Sequence, residues 1–148
     1  MYKNILVATD GSKLSNQAVK TAVGMAKQLG AKLVAAYVMP EYPSQVFAEG
    51  AAFTQYVTPN QFLQEQRSHA REVLEGVQSM AAKAGVSADT EAIQKRTPYE
   101  GIIAAAKRRK CDLIVMASHG RRGLAGMILG SETQKVLTHS KVPVLVVR

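Results

Sequence analysis

The feature that most narrows the fold of this chain is an alternation. Short continuous apolar runs (ILVA at residues 5–8, KLVAAYV at 32–38, LIVMA at 113–117 and VLVV at 144–147) take turns with segments whose apolar residues recur every three or four positions. Short runs bounded by turn residues suit strands buried on both faces, and the three-to-four spacing suits helices with one buried stripe. The first helix reads from residue 13 to 29 on Leu14, Ala18, Ala22, Met25, Ala26 and Leu29, with Gly30 as a left-handed stop. The second starts from a cap at Thr58 or Asn60, runs through Phe62, Leu63, Ala70, Val73, Leu74, Val77, Ala81 and Ala84, and is closed by Gly85. Residues 90–94 read as a shorter, weaker strand at a sheet edge. Thr97-Pro98-Tyr99-Glu100 predicts a helix start, with threonine at the cap, proline first in the helix and glutamate three residues past the cap. That helix runs to about residue 109, and a last one reads over 131–139. Strands alternating with helices imply a mostly parallel sheet with helices on both faces, and right-handed crossovers leave few strand orders.

The 148 residues suit one domain, 1–148, with a good single core. No apolar run approaches the length of a membrane span, so no membrane partner is expected. The opening MYKNILVATDGS reads as a first strand and turn, not a signal peptide. A single cysteine, Cys111, cannot form an internal disulfide, which favours a reducing compartment. Set among Lys107, Arg108, Arg109, Lys110 and Asp112, it is either a thiol of lowered pKa or, the preferred reading, a small residue at a strand entrance. The net charge of +8 allows contact with nucleic acid, anionic lipid or a phosphorylated ligand. The one basic run, 107–110, closes a helix, where cations complement the dipole. No aromatic residue interleaves with it as a stacking platform, so no nucleic-acid partner is expected.

Residues 117–133, ASHGRRGLAGMILGSET, carry four glycines and two adjacent arginines between a strand and a helix. In open α/β sheets, ligands bind at the carboxyl ends of strands where the strand order reverses. Two breaks qualify: Ala8-Thr9-Asp10-Gly11-Ser12 and this glycine loop. If their strands are neighbours, the loops face each other. Glycines let amides approach an anion closely, Gly130-Ser131 opens a helix whose dipole favours negative charge, and Arg121 or Arg122 could reach a terminal phosphate. The competing reading is that the glycines make turns, and that Ser131 with Gln134 forms a capping box. Neither the Walker nor the GxGxxG spacing is present. Residues 40–60 hold three prolines and no clear period, the mark of a long connecting loop.

The opening YKNILVATDGS, the strand ending AYVMP, the stretch DLIVMASHG, the loop ending LGSET and the tail VPVLVVR together resemble the universal stress protein family over almost the whole chain. The resemblance implies a Rossmann-like α/β nucleotide-binding fold with strand order 3-2-1-4-5. Family members that bind ATP carry Gly, two residues, Gly, nine residues, then Gly-Ser or Gly-Thr. Gly120, nine residues and Gly130-Ser131 match, and Ala117 stands where the first glycine would be. If that position needs only a small residue, Ala117 is harmless; if it needs a left-handed backbone, ATP binding weakens. By the resemblance, Asp10 sits near the ribose or metal-bound phosphates, and Ala8 and Thr9 line the base and sugar side. Val38 and Met116 border the adenine, and Gly120, Gly130 and Ser131 hold phosphates. Asp10 has a second reading, a cap on the first helix together with Ser12. ATP, with Mg²⁺, is the implied ligand.

The implied role is that of a cytoplasmic stress-response sensor or switch. The alternatives are a dimeric interaction module that binds no ATP, and a slow nucleotide hydrolase. A homodimer through the edge strand, with Val142, Val144, Leu145, Val146 and Val147, is also implied. No catalytic residue is assigned and no metal-ligand cluster is seen. Ser118 and His119 are not expected to pair, because adjacent side chains on an extended segment point opposite ways. At most, weak ATP hydrolysis is expected.

Overall fold

The structure, a computed structural model, describes residues 1–42, 58–120, 123 and 129–148. Its elements are β1 (Asn4–Ala8), α1 (Lys13–Leu29), β2 (Lys32–Met39), α2 (Pro59–Lys83), β3 (Ala88–Gln94), α3 (Pro98–Arg108), β4 (Leu113–Ala117), α4 (Ser131–His139) and β5 (Val144–Val147). The five strands form one sheet in the order β3-β2-β1-β4-β5, and every pairing is parallel. The expected architecture and strand order are both present.

Alternate residues of each strand feed opposite faces. Ile5, Val7, Leu33, Ala35, Tyr37, Val115 and Ala117 pack with Ala18, Val19, Ala22 and Ala26 of α1 and Leu74, Val77 and Ala81 of α2. Leu6, Ala8, Val34, Ala36, Ile114 and Met116 pack with Ile102, Ala105 and Ala106 of α3 and Val136 of α4. Each fully buried Val, Leu or Ile is worth about 1.5–3 kcal/mol, so the central strands anchor the sheet. β1 and β4, both flanked by strands, are buried almost throughout.

The local signals resolve as follows. Gly30 takes φ +63 at the C-cap of α1, and Gly85 takes φ +76 just past α2, as the stop signals required. Thr58 caps α2, its hydroxyl accepting the Gln61 N–H at 3.2 Å, and Asn60 lies inside the helix. β3 starts at Ala88, two residues earlier than its sequence indicated, because it pairs with β2 from Leu33↔Ala88 to Met39↔Gln94. Backbone pairing extends a strand whose own side chains are too polar to mark it.

The basic run at the end of α3 is tied to this edge strand. Arg108 pairs with Glu91, and Arg109 pairs with Asp89 at 2.8 Å. Asn4 Nδ2 donates to the Arg109 carbonyl at 2.6 Å, and the Asp112 carboxylate accepts the Lys3 and Asn4 amides. Cys111 is buried at the entrance to β4, and burial, with Asp112 beside it, pushes the thiol up to about 11. It is a small core residue, and the reading as an activated thiol is set aside.

Candidate functional site

The two breaks noted in the sequence do face each other, because β1 and β4 are neighbours. The first is a tight turn. Thr9 continues the sheet, its N–H donating to the Ala36 carbonyl at 3.0 Å. Its buried hydroxyl lies 3.1 Å from Ser15 Oγ and accepts the Gly11 N–H at 3.2 Å, so it is occupied within the turn. Gly11 takes φ +78, which lets the chain reverse here. Asp10 Oδ1 accepts the Ser12 N–H at 2.9 Å, and Ser12 caps α1 by accepting the Ser15 N–H at 3.2 Å. Asp10 therefore does brace the start of α1. Its other oxygen faces the glycine loop: a Cβ built on Gly120 would lie 2.6 Å from Asp10 Oδ2.

The glycine loop leaves and returns at one point. Ser118 N–H donates to the Val147 carbonyl at 2.8 Å, and the Ser118 carbonyl accepts the Gly130 N–H at 2.7 Å. A Cβ on Gly130 would press on Ser118 O and on His119 Cα and Cβ, each at 3.2 Å, and one on Gly123 would collide with the His119 ring. Each of these three described glycines is a close approach, and none has a left-handed φ. The density of glycine thus makes room for Asp10 and for His119 inside the loop mouth. Ala117 is buried, in strand conformation, and packs on the α1–α2 side. No left-handed geometry is needed at that position. Its carbonyl accepts the buried Thr133 hydroxyl at 3.0 Å, fastening α4 to β4.

At the start of α4 the sequence reading needs two corrections. Gly130 is the N-cap, so Ser131 is the first helical residue, and no side-chain cap forms; Gln134 Nε2 instead reaches the Leu129 carbonyl at 3.3 Å. The capping-box reading fails because the chain turns one residue early. The Gly130 amide is also already bound to Ser118. The first hydrogen bond of the helix runs from Gln134 N–H to the Gly130 carbonyl, which leaves the Ser131, Glu132 and Thr133 amides as the donors an anion could meet.

The remaining candidates divide by position. Ala8 and Met116 lie in the α3–α4-side core, with half-buried Val38 packed against it. Val38 rests on α3, since a Cβ on Gly101 would meet its two methyls at 2.9 and 3.0 Å. Asp10, Gly120, Gly130 and Ser131 lie beyond the strand ends. Arg121 and Arg122 fall outside the described residues, as do most positions of the long loop before α2.

Ser118 and His119 do pair, contrary to expectation: Ser118 Oγ lies 3.3 Å from His119 Nδ1. The strand ends at Ala117, and the bend after it brings the adjacent side chains to one side. Ser118 is only 3% exposed, too deep for a nucleophile, so the pair packs the loop mouth. The sequence suggests His119 as a loop residue facing the pocket rim and assigns no role at the site to Ser118 or Glu132. A serine and histidine directly before the glycine loop, and an acid in the first helical turn, were the available signals.

The structure is a parallel α/β fold in which Asp10 of the β1 turn lies against Gly120, beyond the ends of the neighbouring strands β1 and β4. The family model for the universal stress protein family matches residues 1–148, and the chain belongs to that family. It is 36% identical over 152 residues to universal stress protein YxiE of Bacillus subtilis, covering 100% of both chains. Among solved structures it is similar to UspA from Lactobacillus plantarum, with TM-score 0.82, 27% identity, and 99% and 98% of the two chains covered. It is also similar to a universal stress protein crystallised in complex with cAMP, with TM-score 0.71, 26% identity, and 99% and 97% covered.

Proposed function

We propose that this chain binds an adenine nucleotide, ATP with Mg²⁺, in the crevice between the β1 turn and the glycine loop, and works as a cytoplasmic stress-response sensor or switch. The observation that carries the reading is the juxtaposition of Asp10 with Gly120, together with a nearby helix start whose first amides have no partner among the described residues. Phosphate would meet the amides of Ser131, Glu132 and Thr133 and the Ser131 hydroxyl, which has no partner among the described residues. The adenosine would lie towards Val38, Ala8 and Met116. A carboxylate next to phosphate is repulsive unless a cation lies between them, which is the part Mg²⁺ would play at Asp10. The similar protein that holds cAMP supports an adenine nucleotide as the ligand class. Mass spectrometry of the freshly purified, denatured protein tests this. Released ATP or AMP is expected, and a protein that carries none and takes up none on titration would refute it.

A second reading, a dimeric interaction module, draws on β5. The Pro143 and Val147 carbonyls bond to β4, so the main-chain groups of Val144 and Val146 turn to the open edge. Leu145 is exposed beside them. An open apolar edge invites a second copy, and a twofold axis would make the contact self-complementary. This homodimer is compatible with nucleotide binding.

A further inference from the structure

We propose that Glu132 is a positioning residue that clasps the start of α4 to the start of α3, and so keeps the wall at Val38 in register with the phosphate end of the site. This rests on the nucleotide reading above. Glu132 Oε2 accepts the Tyr99 N–H at 2.9 Å, and Oε1 accepts from Lys135 Nζ at 3.0 Å. Lys135 Nζ also lies 5.5 Å from the centroid of the Tyr99 ring, and that ring meets the His139 ring at 5.4 Å. One residue of α3 is thus held by three side chains of α4.

The start of α3 depends on this help. Thr97 makes no side-chain cap hydrogen bond, and Pro98 has no N–H. Tyr99 therefore carries the first backbone donor inside the helix, and a different helix fills it. Two residues on, Gly101 lies against the Val38 methyls with no room for a Cβ, so a shift of the first turn of α3 moves Val38. At its other end the clasp belongs to the turn that presents the Ser131, Glu132 and Thr133 amides. A carboxylate there would compete with phosphate for the positive end of the helix. Tyr99 and Lys135 hold it aside.

Two variants and two readouts test the clasp. In nucleotide-free protein, hydrogen exchange of the Tyr99 amide should be about tenfold faster in Glu132→Ala, the scale of one lost hydrogen bond. Glu132→Gln keeps a carbonyl for the same N–H and should stay within about twofold of the parent. ATP affinity by calorimetry should follow the same order, about tenfold weaker in the alanine variant and near the parent in the glutamine variant. Unchanged Tyr99 exchange in Glu132→Ala, parental ATP affinity in that variant, or a glutamine variant as weak as the alanine one would each overturn the proposal. A parent protein that binds no adenine nucleotide would sink the nucleotide reading instead, and the exchange measurement would still decide whether the clasp exists.

Discussion

Replacing Gly120 with alanine probes the contact on which the site rests. The new Cβ would lie 2.6 Å from Asp10 Oδ2 and 3.6 Å from Asp10 Cγ. Carbon and oxygen in close contact keep roughly 3.3 Å apart, so the carboxylate must retreat by about 0.7 Å or the loop must lift. Turning the carboxylate pulls Oδ1 from the Ser12 N–H, which it holds at 2.9 Å. A hydrogen bond to a charged group is worth about 1.5–3 kcal/mol, and overpacking costs about 1–3 kcal/mol. Gly120 is exposed and has no left-handed φ, so the loop can yield and backbone strain adds nothing. The net loss of stability should fall near the low end, about 1–2 kcal/mol, or a few degrees in Tm. ATP affinity should drop by about tenfold or more as the carboxylate leaves its place. Urea denaturation and calorimetry on a double-mutant cycle with Asp10→Ala provide the assay. Without the carboxylate, alanine at 120 should cost less than about 0.5 kcal/mol. Additive effects of the two changes would show that Asp10 and Gly120 do not face each other, and the reasoning would fail.

Four further outcomes are expected. Ala117→Gly should alter ATP affinity by less than about tenfold, roughly 1.4 kcal/mol, because the native alanine sits in ordinary strand geometry; a much larger gain in calorimetry would mark it as a disabling residue. Cys111 should resist thiol reagents at pH 8 in the native protein and react after unfolding, and rapid native labelling would contradict its burial. Because the folded state keeps a proton that the unfolded chain releases, Cys111 should also lower stability as pH rises from about 9 towards about 11, measurable as a falling denaturation midpoint in that window. Val146→Pro should remove one edge amide of β5 and shift a dimer towards monomer in light scattering; a dimer that survives unchanged is held by another surface.

The sheet was legible because its central strands are apolar on both faces, and because Gly30, Gly85 and Pro98 mark helix ends in ways that local chemistry enforces. The sequence marks β3 only from residue 90 because its first two residues, Ala88 and Asp89, carry little strand signal: Asp89 is charged, exposed and paired with Arg109 at the sheet edge. At the site, Asp10 and Gly120 are named through the family resemblance, but their contact depends on β1 lying beside β4, a tertiary fact. The Ser118–His119 pair is missed because the sequence suggests an extended segment beyond the strand, whereas the chain bends at Ser118, whose N–H is bonded to Val147. Glu132 could not be found at all from local pattern. Its partner, the Tyr99 amide, is 33 residues away and belongs to a helix whose own cap looked sufficient.

The central claim is nucleotide binding at the facing loops, and calorimetric titration of the purified protein with ATP, with and without Mg²⁺, tests it most directly. One-to-one saturation is expected with Kd below about 100 μM, near −5.5 kcal/mol, tightened by Mg²⁺ in the parent and no longer tightened by it in Asp10→Asn. No saturable binding up to about 5 mM ATP, around −3 kcal/mol, in nucleotide-free folded protein would contradict the account.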